Sequence, residues 1–141
     1  MVEVADVRRR FRQRIQEARR QAEVRRVEVD RAARDYETFL RDTATPAFRM
    51  VASVLSAEGY PFKVYTPADS LRLSSTNSRD DYFELELDTE SVPPAVMGRV
   101  NRSRGGRLIT IERPIRPDTS VAELTQEDVV EFVLSEFDRF V

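Results

Sequence analysis

The sequence predicts an α+β fold: a long N-terminal helix of coiled-coil character, a short helix, a five-stranded antiparallel meander and a C-terminal helix packed on the sheet. Three observations carry that expectation. Apolar residues recur at alternating steps of three and four through residues 1–42, which contain neither proline nor glycine. From Tyr60 the apolar period changes to two, in short runs separated by polar turns. The segment opened by Thr125 then returns to helical spacing.

In the first segment Ile15, Ala22, Val29 and Tyr36 stand seven residues apart, and Phe11, Ala18, Ala32 and Phe39 form a second row that only Arg25 interrupts. The two rows merge into one stripe on a helix, and these eight residues are the expected oligomer seam. About forty residues rising roughly 1.5 Å each span about 60 Å. Residues 43–141, folded as a compact body, are too small to cover such a rod. Part of the stripe therefore calls for another chain, most simply a second copy. Residues 1–42 thus read as a helical stalk for oligomerisation and residues 43–141 as a compact α+β domain.

The same helix is rich in arginine. From Val7 to Arg26 there are nine, against Glu17 and Glu23. Arg8, Arg9, Arg10, Arg12, Arg19 and Arg20 fall mostly on the flanks and outer face of the seam. They read either as a solvated face laced with ion pairs worth tenths of a kcal/mol each, or as a surface for phosphate or an acidic partner.

Thr43-Ala44-Thr45-Pro46 predicts an interruption, with Thr45 as N-cap and Pro46 opening a short helix at about 46–58 that Gly59 closes, either separate from the first helix or kinked from it. Phe62 and Val64, Leu71 and Leu73, and Phe83, Leu85 and Leu87 mark three strands, with Glu84, Glu86 and Asp88 on the outward face of the third. A fourth strand near 96–101 and a fifth near 107–113 flank the Gly105-Gly106 turn. Sequential strands on short links favour a meander. Thr125-Gln126-Glu127-Asp128 is a capping sequence, followed by an apolar stripe of Val129, Phe132, Val133, Phe137 and Phe140 that should cover the sheet.

Composition excludes much chemistry. With no cysteine and no histidine, there are no disulfides, no sulfur-bearing zinc sites and no imidazole base. No P-loop, GxSxG elbow or calcium-loop spacing occurs, and Asp80, Asp81, Glu84 and Glu86, the densest carboxylates outside helices, lack a metal-binding pattern. No enzymatic activity, cofactor or metal is therefore expected. Without a long apolar run or a signal-like core, the expected setting is cytoplasmic, with no membrane partner. The net charge of -2 hides segments of opposite sign: 12 basic residues against 9 acidic over 1–42, 4 against 8 over 43–98, 6 against 1 over 99–117, and 1 against 7 over 118–141. Arg99, Arg102, Arg104 and Arg107 concentrate charge around the hairpin turn, as a second candidate for phosphate or an acidic partner. The function expected is a non-enzymatic, self-associating interaction or adaptor module within a larger assembly, a homo-oligomer with a further protein partner. The alternative is a nucleic-acid-associated protein that grips the phosphate backbone through the arginine-rich helix and the hairpin tip.

Overall fold

Strong helix formers carry α1 unbroken from Val4 to Phe39 in the computed structural model, which describes residues 1–141. The interruption expected at Thr43–Pro46 is not a separation of two helices. Leu40–Ala44 form a π-helical turn that runs directly into α2 (Thr45–Ala57). Thr45 lies inside the helix rather than capping it, and its N–H reaches back five residues to the carbonyl of Leu40. Pro46 supplies the physical reason. Its ring has no N–H to donate and crowds the carbonyl four residues back, and one wider turn accommodates it without ending the helix. Gly59, at φ +90°, then stops α2.

Five strands follow in simple order: β1 (Phe62–Tyr65), β2 (Leu71–Ser75), β3 (Tyr82–Asp88), β4 (Ala95–Arg104) and β5 (Arg107–Pro114). Each pairs antiparallel with the next, giving the meander β1-β2-β3-β4-β5. Gly105 and Gly106 both take positive φ and close the two-residue turn between β4 and β5. The mixed α+β class and the five-strand order agree with the periodicity of the sequence.

Period-two alternation puts Phe62, Leu71, Leu73, Phe83, Leu85, Val96 and Val100 in the core. Helices cover that one face of the sheet. α2 contributes Ala47 and Phe48, and α3 (Gln126–Glu136) contributes Val129, Phe132 and Val133, all buried. Thr125 and Asp128 cap α3 reciprocally, each side chain accepting from the other's backbone N–H. The chain ends in a 3-10 turn, Phe137–Phe140, whose rings join Phe62 and Phe83 in an aromatic cluster; the Phe83 and Phe140 centroids lie 4.9 Å apart. The other face of the sheet has no covering layer.

The last turns of α1 belong to the same core. Ala32, Tyr36 and Phe39 are buried, and the Tyr36 hydroxyl donates to the backbone carbonyls of Asp69 and Leu85 at 3.0 and 3.3 Å. Burial and the nearby carboxylates of Glu86, Asp69 and Glu84 push the Tyr36 phenol well above its ordinary range, which favours the protonated form that donates. Arg25 makes the outermost contact, donating to the carbonyls of Thr89 at 2.8 Å and Glu90 at 3.3 Å. Beyond it, residues 8–24 are exposed throughout. The first 21 residues of α1, Val4–Val24, thus project as an arm of about 30 Å. No helix is long and apolar enough to cross a membrane.

Candidate interaction surfaces

The expected seam divides at Arg25. Ala32, Tyr36 and Phe39 are spent on the chain's own core and Val29 is half-buried, whereas Phe11, Ile15, Ala18 and Ala22 lie exposed on the arm, Phe11 at 63%. The arginine in the second row is explained by its position. It stands where α1 first meets the body, and a guanidinium there can reach two loop carbonyls that no apolar side chain could satisfy. Val4, also exposed, continues the free stripe toward the N-terminus.

The arm's arginines fall into two sets. Arg9 and Arg10 pair with Asp6, Arg20 with Glu17 at 2.5 Å and Arg26 with Glu23 at 2.6 Å, all one turn apart on the helix. The hydrogen bond from Arg20 holds the Glu17 carboxyl below its usual range. Arg8, Arg12, Arg14 and Arg19 enter no ion pair.

The four hairpin arginines do not form one cluster. Strand alternation places Arg99 on the opposite face of the sheet from Arg102 and Arg104. Arg99 belongs to an ion-pair network on the open face, with Glu84 at 3.1 Å, Glu112 at 3.6 Å and Glu86 at 3.8 Å. Glu84 is outward-facing as expected but only 4% exposed, because Arg72 at 2.7 Å and Arg99 close over it. Arg72 in turn stacks 4.0 Å from the centre of the Tyr82 ring. Arg104 and Arg107 face each other directly across the turn, and neither they nor Arg102 find a carboxylate partner. Asp81 accepts from the backbone N–H of Ser103 at 2.8 Å, and no group of carboxylates is placed to hold a metal ion.

Two concave surfaces escaped the sequence reading. A wide polar basin of about 730 Å³ lies over β1 and β2, where Lys63 and Arg79 are unpaired and Arg72 is held by Glu84. A smaller groove, about 220 Å³, runs between α2 and α3 and is lined only by apolar side chains, among them Met50, Val54, Leu55, Val130, Leu134 and Phe137. Met50, Val54 and Leu134 are each about half exposed or more. The signal for this groove was a second apolar row on each helix, Met50 with Val54 and Val130 with Leu134, four residues apart and one position off the rows that enter the core. Glu127 and Glu131 follow the outer edge of α3 beside Leu134, Asp138 stands in the 3-10 turn that follows, and none of them is in an ion pair.

No protein-family model, curated protein or solved structure matches this chain.

Proposed function

We propose that this chain is a non-enzymatic, self-associating protein–protein interaction module, working within a larger assembly through its projecting arm. The observation that carries this reading is the exposed stripe of Phe11, Ile15, Ala18 and Ala22 on a helix with no covering contact of its own. The body nucleates α1, but propagation into water adds little per residue, so an uncovered arm frays from its free end. Covering the apolar face stabilises it, at roughly 25 cal/mol per Å² removed from water. The body supplies the rigid mount, because α1 continues without a break into the core at Ala32, Tyr36 and Phe39.

Light scattering after size exclusion tests this. The wild type is expected to exceed the 16.3 kDa of one chain. Phe11→Asp with Ile15→Asp is expected to return it to that mass while the melting temperature of the body stays within a few degrees. Equal masses for wild type and variant would overturn the reading.

One observation favours a second reading. Like charges directly opposite on paired strands are destabilising, and Arg104 and Arg107 hold that arrangement without a counter-charge. A phosphate backbone would supply it, with the unpaired Arg8, Arg12 and Arg19 as a second contact. On this reading a mixed-sequence duplex binds at low salt and is released at moderate salt, and Arg102, Arg104 and Arg107 changed together to Gln weaken binding. Undiminished binding would remove the hairpin tip.

A further inference from the structure

We infer that the groove between α2 and α3 is the receptor for the arm of a second copy of this chain. The inference rests on the self-association reading and names its interface.

Pairing of arm with arm is disfavoured by charge. In a two-stranded coiled coil built on Ile15 and Ala22 in one row and Phe11 and Ala18 in the other, Arg12, Arg19 and Arg26 flank one side and Arg14 the other. A parallel pair sets Arg14 of one chain against Arg19 of its partner. An antiparallel pair sets the Arg12, Arg19 and Arg26 flanks against each other. Arg8 and Arg25 fall within the core rows themselves. The arm therefore fits an acidic, apolar receptor better than its own copy.

The groove has both properties. Its lining is entirely apolar. Its volume of about 220 Å³ lies below the roughly 300–1,000 Å³ of small-molecule sites and suits side-chain anchors presented by a helix, for which Phe11 and Ile15, four residues apart, have the spacing. Glu127, Glu131 and Asp138 form an unpaired acidic rail along one edge. Arg12 and Arg19 stand seven residues apart on the arm and carry the charge opposite to that of the rail. The charge balance agrees: Val7–Arg26 has nine Arg against two Glu, and the acids beside the groove have no basic partner of their own.

The occupant must come from another molecule. Val24 and Met50 lie on one continuous helical rod interrupted only by the π turn, about 39 Å apart along its axis. The arm cannot reach its own groove without breaking α1. Each copy donates an arm and offers a groove, and exchange that is reciprocal between two copies makes a two-fold pair.

Complementation tests the inference in the full chain. An arm variant, Phe11→Asp with Ile15→Asp, keeps its groove; a groove variant, Val54→Asp with Leu134→Asp, keeps its arm. Each alone is expected to weaken self-association about tenfold or more, because a carboxylate is forced into an apolar contact. Mixed in equal amounts, the two should form a heterodimer through one intact arm and one intact groove. A groove variant that associates like the wild type overturns the groove and leaves the arm reading standing. A wild type that is monomeric at every concentration overturns both. A second pair of variants leaves the apolar surface untouched: Glu131→Arg with Asp138→Arg should weaken association, and adding Arg12→Glu with Arg19→Glu should restore it. Failure to restore would overturn the assigned charge contacts.

Discussion

The Arg25 guanidinium donates a 2.8 Å hydrogen bond to the backbone carbonyl of Thr89, and with it α1 makes its last contact before leaving the body. Everything proposed for the arm depends on that boundary. Arg25→Ala should cost about 1 kcal/mol, below the roughly 1.5–3 kcal/mol of a charged hydrogen bond because the carbonyls are partly exposed. Amide exchange should quicken around residues 22–30 and stay unchanged at Phe39, which the core holds independently.

The approach of α3 to the sheet is set by Gly98. A Cβ there would lie 2.4 Å from Cζ of Phe132 and 2.9 Å from Cγ2 of Ile115. Both neighbours are packed in the core, so Gly98→Ala is an overpacking substitution that should cost about 1–3 kcal/mol in urea unfolding. An unchanged midpoint would mean that α3 shifts freely.

On the open face, Glu84 holds two arginines together. Replacing it with Gln leaves Arg72 and Arg99 without their buried counter-charge. Breaking a fully buried pair costs roughly 3–5 kcal/mol, but both arginine side chains are about a third exposed, so about 2 kcal/mol is expected after solvent screening. Glu112→Gln, at the rim of the same network, should cost less than about 0.5 kcal/mol. Chemical denaturation of the two variants separates these outcomes.

Acid should loosen α3 from β5. Burial alone would raise the Glu136 carboxyl, yet hydrogen bonds from Arg139 and Arg113, with their charges, outweigh it and hold the group below its ordinary range. The folded value is therefore lower than the unfolded one of about 4.3. Its stabilisation is fully present above the unfolded value and is lost as pH falls through the folded one. Thermal melts should show the wild type more stable than Glu136→Gln at neutral pH, with the gap closing in acid. A gap that stays constant with pH would contradict this.

The sheet was legible in the sequence because a period of two with polar turns leaves few alternatives, and α3 because its cap and stripe agree. The continuity of α1 and α2 was legible only as one of two alternatives. Thr45-Pro46 has the same residues as a helix start, and only the π turn absorbs the proline that would otherwise end the helix. Heptad spacing located the apolar stripe but could not divide it, since a row facing the chain's own core and a row left exposed have the same period. Arg25 was the one local sign of that division. The groove was hidden because Met50, Val54, Val130 and Leu134 look like the edges of core-facing stripes until two helices are set side by side.

The most direct test of the central claim is amide hydrogen exchange along α1 of the full chain as protein concentration is raised. Amides of residues 8–24 are expected to exchange quickly in dilute solution and become protected as concentration rises, while those of residues 32–39 are protected throughout. Exchange of the arm that is rapid and independent of concentration would show that no second copy covers Phe11, Ile15, Ala18 and Ala22, and would contradict that claim.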